Sequence, residues 1–354
     1  MSHLASSFSR KSTRGSLLVV TLWMITILSI LAVAIGRYLS IEVRLTKYRL
    51  AREQAQALAH SGVYLAQQRL ADDIDQDAPI HDTYDWLGDD WAVVSGNDST
   101  DPSPWIVQVS AASSLPGRAA IRITDEERKM NLNTMKFDAQ DPPTDPFFTG
   151  LISLVGSAEL ATRIVDYIDA DETRADDPSG QAPENDSSTQ PPYVAKNASL
   201  VAYEELWDIP GMTEEAFTAL REHTSIHYPK ETAKLNLNTV EPTVLVTLGF
   251  PSDKIEALKR CREEGDVFDD TQNLVPKAGQ CMAGLETREE NILRNNFGIE
   301  SHAFTVVSEG IVSLSRGRTP PTEVHVRVDA VIQRKECPEG LPSPCILAWR
   351  EGTT

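Results

Sequence analysis

The feature that most constrains this chain is an uncharged apolar run near its N-terminus. Residues 16–36, SLLVVTLWMITILSILAVAIG, contain no charged side chain over twenty-one positions. About twenty apolar residues, each rising about 1.5 Å in a helix, match the ~30 Å hydrocarbon core of a bilayer. A short basic leader with Arg10, Lys11 and Arg14 precedes the run. We therefore predict a membrane-spanning helix whose basic flank stays in the cytoplasm, with the remaining chain on the other side.

The helical pattern continues beyond the apolar run. Apolar residues recur at mixed three- and four-residue spacing, and charged residues fill many of the positions between them. No proline occurs between Ser16 and Ala78. We predict one helix from about Ser16 to Leu70, roughly 80 Å long, with half of it in lipid and half packed on a globular head. Its apolar positions beyond the membrane are Ile41, Leu45, Tyr48, Ala55, Leu58, Gly62, Leu65 and Leu70.

A glycine stands directly after the basic residues and before the apolar run. Ordinary signal peptides are cleaved after their apolar stretch, whereas a cut between Gly15 and Ser16 would leave the helix in the mature protein. The arrangement resembles a class III, prepilin-type leader, and the predicted helix resembles those of pilins and pseudopilins. A plain uncleaved signal anchor with an incidental glycine is the alternative.

One position narrows this resemblance. Pilin-like helices normally carry a glutamate at the fifth mature residue, which pairs in lipid with the N-terminal amine of the adjacent subunit. Here the fifth residue after the predicted cut is Val20, and no acid occurs between Ser16 and Ile41. In lacking this glutamate, the chain resembles the general secretion pathway protein K family, which are minor pseudopilins of type II secretion. A subunit with no neighbour above it has no amine to neutralise, which suits the tip of a fibre.

Strand signals lie early and late in the chain. Short segments rich in β-branched residues occur at 105–109, 120–124, 304–307 and 311–314, and residues 324–332 alternate with a period of two. Helical patterns fill the long stretch between them. We predict an α+β, pilin-like fold, in which a long N-terminal helix packs on an antiparallel sheet that carries a large inserted α-helical domain. The protein K family has a similar architecture.

This interpretation divides the chain into five parts. They are a prepilin-type leader (1–15), a transmembrane segment (16–36) that begins a long helix to about residue 72, the first part of the head (73–126), an inserted helical domain with helix-hairpin-helix-like units (127–298), and the C-terminal strands of the head (299–354).

The insertion contains an internal repeat. KMNLNT at 129–134 matches KLNLNT at 234–239 in five of six positions. Each copy ends in Asn-Thr, which predicts an N-cap for the helix that follows. Residues 206–217 and 239–258 resemble helix-hairpin-helix units, but acidic side chains flank both, so the attraction to phosphates that drives nucleic-acid binding is missing. We expect packing modules and no nucleic-acid partner.

Charge is distributed unevenly along the chain. The formal net charge is −19; residues 1–49 hold seven Lys/Arg and one acid, so they carry +6 and the remainder carries −25. An acidic surface of this kind suits cations or basic partners. The densest stretch, residues 164–186, holds eight acids and one arginine.

That stretch predicts a calcium site, because calcium takes six to eight oxygens in flexible geometry. The favoured ligands are Asp169 and Asp171, at the end of a predicted helix, and Glu184 in the Gly/Pro-rich loop behind it. The spacing is not that of an EF-hand. The resemblance to protein K implies the same ion, since that family binds calcium near a D-W-I-D-x-D segment, here with tyrosine for tryptophan. The alternative is a solvated acidic loop. Further candidate ligands are Glu172, Asp176, Asp177 and Asp186.

Four cysteines fit an oxidising compartment. Cys337 and Cys345 bound a short Pro-rich loop that a local disulfide would close, and Cys261 and Cys281 would then pair. Four cysteines allow three connectivities, of which this is the most local. A zinc site is the rival interpretation, although no C-x-x-C pair or nearby histidine accompanies the cysteines.

The sequence contains no recognisable catalytic motif, so we predict a structural subunit and not an enzyme. The protein K resemblance implies a tip subunit of the pseudopilus, which is processed and methylated by prepilin peptidase. It implies partners in the minor pseudopilins I and J, with H, and in the inner-membrane assembly platform. It places the head in the periplasm and the role in export of folded proteins across the outer membrane. The alternatives are a type IV pilus minor pilin and a signal-anchored periplasmic enzyme.

Overall fold

The structure is a computed structural model that combines one very long helix, one sheet and a helical insertion. It describes residues 14–73, 84–94, 104–109, 116–134, 145–177, 182–186, 192–227, 234–314, 322–335 and 337–352. The helices are α1 (Arg14–Asp72), α2 (Asp90–Val94), α3 (Pro146–Val155), α4 (Ala158–Ile168), α5 (Glu214–His223), α6 (Pro242–Thr247), α7 (Ser252–Glu263), α8 (Leu274–Cys281) and α9 (Thr287–Asn296). The strands are β1 (Trp105–Val109), β2 (Gly117–Asp125), β3 (Met130–Asn131), β4 (Thr224–Ser225), β5 (Leu235–Asn236), β6 (Phe297–Gly298), β7 (Ala303–Ser313), β8 (Glu323–Gln333) and β9 (Cys345–Gly352).

Five strands form the antiparallel sheet of the head, in the order β1-β2-β7-β8-β9. β2 pairs directly with β7 although the whole insertion lies between them in sequence. The two late segments predicted separately, 304–307 and 311–314, belong to the single strand β7, because Glu309 and Gly310 continue its pairing with β8. β9 was not predicted from the sequence. The predicted α+β, pilin-like fold is confirmed.

The backbone of the C-terminal half of α1 lies unusually close to the backbone of this sheet. A Cβ on Gly310 would sit 1.8 Å from the backbone oxygen of Ala55, and one on Gly62 would sit 2.1 Å from Ser308 Oγ. Small residues on the same helix face, including the fully buried Ala51, let the two backbones approach. Larger side chains close the core around this contact, among them Leu58, Val63, Leu70, Trp91, Ile121, Ile123, Phe304, Val306 and Val328.

The insertion consists of two units with the same plan. In the first unit, β3 pairs in parallel with β4, which directly follows α5. In the second unit, β5 pairs in parallel with β6, which directly follows α9. Each unit has its own apolar core. Leu132, Leu151, Ile164, Leu206 and Leu220 belong to the first core, and Leu237, Val244, Leu258, Phe268 and Leu293 belong to the second.

The repeated Asn-Thr elements tie each unit together and do not cap helices. Asn133 Nδ2 donates to the carbonyl oxygens of Leu200 and Ile226, at 3.0 and 2.8 Å. Asn238 plays the matching role in the second unit, where it donates to Phe268 O and accepts from Phe268 N. The predicted N-caps are therefore wrong. In the described part of the chain the next helices begin elsewhere: α3 is capped by the side chain of Asp145, and Glu241 occupies the N-cap position of α6.

A buried polar cluster joins the insertion to the head; we call it the joint and define it by Asp85, Asp125, Glu126, Glu127 and Arg334. The Arg334 guanidinium bonds to Asp85, and it stacks 4.9 Å from the ring of Phe304. Asp125 accepts hydrogen bonds from both the second unit and the start of the β7 region, through the hydroxyls of Thr239 and Ser301.

Glu126 and Glu127 complete the joint. Glu126 accepts from the hydroxyl of Ser225 in the first unit. Glu127 accepts from the backbone N–H of His302 at 2.8 Å. Burial raises the pKa of Glu127 to about 8 and raises the pKa of Asp125 well above its usual value. Head and both units therefore share one set of buried hydrogen bonds, which holds the insertion in a defined place.

The contact between Gly310 and α1 gives a direct prediction. Gly310→Ala places a methyl group against the Ala55 backbone, so helix and sheet must separate, and we expect a loss of about 3 kcal/mol in the free energy of unfolding. Gly352→Ala is the matched strand control, since a Cβ there meets nothing within 4 Å. Urea unfolding of both variants measures the difference, and equal stability would contradict the close packing described here.

Candidate functional sites

The N-terminal half of α1 has the length and the apolar composition of a membrane span. α1 is the one helix in the described part of the chain that is by itself long and apolar enough to span a bilayer. α3 and α4 pass the same test only as a pair bent by 118°, and their apolar faces are buried in the first unit. From Leu17 to Leu50 every residue of α1 is exposed, so none of the described residues of the head covers it.

The predicted processing site lies in the first turn of this helix. α1 begins at Arg14 and includes Gly15 and Ser16. The residues of the leader before Arg14 lie outside the described part of the chain. Cleavage between Gly15 and Ser16 would leave the apolar segment and the head joined in one continuous helix.

Three acids converge in the first unit of the insertion. Carboxylate oxygens of Asp166, Asp169 and Glu184 all lie within 4.8 Å of one another. Asp166 is on the last turn of α4, and Asp169 is its C-terminal cap residue. The chain then folds back through an isolated bridge between Thr173 and Pro183, which returns Glu184 to the end of α4. Two oxygens bound to one calcium ion at 2.3–2.6 Å are at most about 5 Å apart, so the spacing fits that ion.

Asp166 Oδ1 accepts from the backbone N–H of Ala175 at 2.7 Å, but three other oxygens of this acidic group lack the partners that buried carboxylates require. Asp169 Oδ1 and both carboxylate oxygens of Glu184 are buried without a well-formed hydrogen bond. Burial, followed by repulsion from neighbouring carboxylates, raises the pKa of Asp169 to about 7 and that of Glu184 to about 8. Burial also raises the pKa of Asp166 to about 6. Like charges held this close without a cation are unfavourable, and a bound hard cation would relieve the repulsion.

Asn197 lies beside the same group. Its side-chain nitrogen donates to the backbone oxygen of Asp171, while its Oδ1 is buried without a well-formed hydrogen bond. The backbone of Asn197 has a positive φ of 51°, a conformation that asparagine tolerates better than most residues. A carbonyl oxygen of this kind is a calcium ligand by chemistry, and no sequence pattern indicated it.

The predicted metal ligands separate into two sets. Asp169 and Glu184 are in the acidic group, together with Asp166, which was not predicted as a ligand from the sequence. Asp171 Oδ1 instead accepts hydrogen bonds from the N–H and hydroxyl of Thr173, at 2.8 and 2.7 Å. The structure does not bring the remaining candidates into the group: Glu172 is exposed, Asp176 pairs with Arg174, Asp177 accepts from Ala182 N, and Asp186 forms a backbone bridge with Tyr193.

Both cysteine pairs form disulfides in the structure. Cys261 on α7 bonds to Cys281 at the end of α8, and Cys337 bonds to Cys345 at the start of β9. The Cys261–Cys281 bond lies in the second unit of the insertion, and the Cys337–Cys345 bond closes the loop that leads to β9. Cross-links of this kind are stable in oxidising compartments outside the cytoplasm.

The two segments that resemble helix-hairpin-helix units, residues 206–217 and 239–258, each turn at a glycine in the left-handed backbone conformation. Gly211, with φ 92°, precedes α5, and Gly249, with φ 82°, joins α6 to α7. Glutamates occupy the first turn of α5, where a DNA-binding hairpin would bring its backbone N–H groups to phosphate. Both segments therefore have glycine turns of the hairpin kind, but acidic side chains stand where a DNA-binding hairpin would meet phosphate.

Comparisons with known proteins point to one family. Residues 128–229 match the family model for type II secretion system protein K. The chain is similar in structure to a chain of the solved GspK-GspI-GspJ complex from the enterotoxigenic Escherichia coli type 2 secretion system, with 17% sequence identity and a TM-score of 0.59. That similarity covers 87% of this chain and 99% of the other. The comparison with curated proteins gave no match.

These findings confirm the resemblance predicted from the sequence. The family model for protein K matches the first unit of the insertion, and the solved chain has a similar fold over 87% of this chain. The protein K match also supports a structural component of the secretion apparatus rather than an enzyme. The single apolar N-terminal helix fits a one-pass membrane anchor with a globular head.

Proposed function

We propose that this protein K-type minor pseudopilin stands at the tip of a type II secretion pseudopilus and nucleates or caps the fibre. The observation that carries the proposal is the protein K signature in the insertion, on a pilin-like head with an exposed apolar helix. Pilin-like helices bundle into a fibre core, and this helix presents apolar side chains on every side from Leu17 onward. It therefore needs other subunits around it once it leaves the lipid.

The partners we propose are the minor pseudopilins I and J, with H beneath or beside them. The similar solved chain comes from a complex of GspK with GspI and GspJ. The assembly platform of the inner membrane would supply the energy for fibre growth, and the fibre would support export of folded proteins across the outer membrane.

The tip position is supported by two features of the chain itself. Val20 replaces the acid that pairs with the amine of a neighbouring subunit, so this subunit does not need a neighbour above it. The insertion enlarges the head well beyond one helix and one sheet, and the joint fixes it there through the hydroxyls of Thr239 and Ser225, which donate to Asp125 and Glu126. A rigid, bulky head is easiest to accommodate at the end of a fibre.

We propose the inner membrane and periplasm as the location. The basic leader would stay in the cytoplasm under the positive-inside rule, which places the head outside. Two disulfides suit the oxidising periplasm. A type IV pilus minor pilin shares the same helix and location, but the protein K signature favours the type II system. A periplasmic enzyme is not favoured by any feature of the described sites.

We also propose that the acidic group binds calcium. Asp166, Asp169 and Glu184 would supply carboxylate oxygens, and Asn197 would supply an amide oxygen. The support is the set of buried oxygens without well-formed hydrogen bonds at a spacing that suits one ion. Bound calcium would hold the segment around Glu184 against the end of α4 and so stabilise the first unit.

Processing tests the pseudopilin assignment. Gly15→Trp places a bulky side chain at the predicted cut, so we expect the leader to remain on the variant, while the wild-type chain begins at Ser16. Mass spectrometry of the chain from membranes with an active prepilin peptidase measures this, and a methyl group on the new N-terminus would add about 14 Da. Ser7→Trp, within the leader but away from the cut, is the control. A wild-type chain that keeps its leader, or is cut after Gly36, would contradict the proposal.

Calcium binding is tested by two matched glutamate substitutions. Glu184→Gln removes one carboxylate from the acidic group, so we expect the metal-free protein to melt at higher temperature and its stabilisation by calcium to be lost. A ligand at about 100 times its Kd adds about 2.7 kcal/mol to the wild type. Glu172→Gln, an exposed acid outside the group, is the control and should respond like the wild type. Thermal melts with EGTA, with calcium and with magnesium measure the effect.

An unchanged calcium response in Glu184→Gln would show that the acidic group is not the site. The absence of any calcium response in the wild-type protein would contradict calcium binding itself. Either result leaves the pseudopilin assignment standing, because that assignment depends on the helix and the family match.

A further inference from the structure

The segment of α1 between the membrane and the head is a bare helix; we call residues 37–50 the neck. All fourteen residues are exposed, and burial begins abruptly at Ala51. Fourteen residues span about 21 Å at 1.5 Å each. The neck exposes seven large apolar or aromatic side chains: Tyr38, Leu39, Ile41, Val43, Leu45, Tyr48 and Leu50. It also carries four cations and a single acid.

Three of the four cations lie on one face of the neck. Successive residues of a helix are turned by about 100°, so Arg44 lies about 20° from Ala51, and Arg37 and Lys47 each lie about 40° from it. Ala51 is buried against this chain's own sheet, which identifies that face as the one that carries the head. Arg37, Arg44 and Lys47 therefore form a basic stripe that continues the head-facing side of α1 below the head.

The stripe has no acid of its own helix beside it. Between residues 37 and 53 the acids are Glu42 and Glu53. Both lie about 160–180° from Ala51, on the opposite face of α1. Arg49 lies on that opposite face too, about 160° from Ala51. The charges of the stripe thus stand unbalanced, while the charge of Arg49 lies on the same side as both acids.

Distance from the bilayer separates lipid from protein as the partner. If the hydrocarbon core ends at Gly36, Arg44 and Lys47 lie about 12 and 16 Å above it along the helix. The headgroup layer of one leaflet is only about 5–8 Å thick. Arg37 reaches phosphates there, but Arg44 and Lys47 stand above the layer, in the space directly under the head.

We propose that Arg44 and Lys47 bind acidic side chains on the head of a neighbouring pilin-like subunit, seated beneath this chain's own head. The inference rests on the proposed function, because it requires a fibre with helices inside and heads outside. In such a fibre the face of α1 that carries its own head points outward, toward the head of the next subunit down. The apolar side chains on the other faces of the neck would contact neighbouring helices. The stripe would then fix the position of this subunit on the one below it.

The test uses two substitutions that change charge equally, two residues apart. The full chain is co-expressed with the I and J subunits of the same system, extracted in detergent and purified through this chain. Lys47→Glu reverses a charge of the stripe, and Arg49→Glu reverses one on the opposite face. We expect Lys47→Glu to lower recovery of I and J about fivefold, and Arg49→Glu to leave it nearly unchanged. Rising salt should weaken the wild-type complex and have less effect on Lys47→Glu.

A photo-crosslinking residue in place of Lys47 or Arg49 identifies what each position touches. We expect position 47 to crosslink to the head of I or J, and position 49 to crosslink to a helix. Crosslinks from position 47 to phospholipid, or equal recovery with Lys47→Glu and Arg49→Glu while the wild type retains its partners, would overturn the stripe proposal alone. Failure of the wild-type chain to retain I and J would overturn the proposed function and the stripe together. Equal melting temperatures of the variants confirm that their heads are folded.

Discussion

Backbone contact between α1 and the central strand of the sheet is the constraint on which the rest of the structure depends. Gly310 admits the carbonyl of Ala55 into the space of a side chain, and alanines line the same face of the helix. One continuous helix thereby connects the apolar segment to the folded head without a flexible linker. A displacement of the apolar half of α1 would be transmitted directly to the sheet, as the proposed fibre would require.

The insertion is attached to this frame by polar contacts rather than by an extended apolar interface. Its two units have separate apolar cores, and both meet the head at the joint, where Arg334 is surrounded by carboxylates. Burial raises the pKa of Glu127 to about 8, which favours the neutral form of that carboxyl in the joint. A buried polar joint specifies one orientation of the insertion, because its donors and acceptors must meet particular partners; an apolar interface would specify the orientation less well.

Sequence reasoning succeeded where a pattern is local and failed where a partner is distant. The apolar run and the alternation at 324–332 led to α1 and β8, because periodicity is a property of neighbouring residues. The five-of-six repeat indicated repetition within the insertion, but its division into two units was not predicted. β9 was missed since CILAWREG has no simple alternation. Asn133 was predicted to cap a helix, but its side chain bonds to a residue 67 positions away. An asparagine side chain can make either kind of hydrogen bond, so the sequence alone does not distinguish them. Asp166 was overlooked as a ligand for the same reason: Glu184 reaches it only through the bridge at Thr173.

The distribution of charge along the chain bears on where the subunit would lie in a fibre. A neutral apolar helix without the usual acid, a basic neck and an acidic head suit the proposed tip position, in which the subunit has a neighbour below it and none above. The most direct measurement of this claim is the position of the chain along assembled pseudopili, by immunogold labelling of its head in electron micrographs. The account predicts gold at one end of each fibre. Gold along the whole length would contradict it and would make the chain a repeating subunit of the shaft.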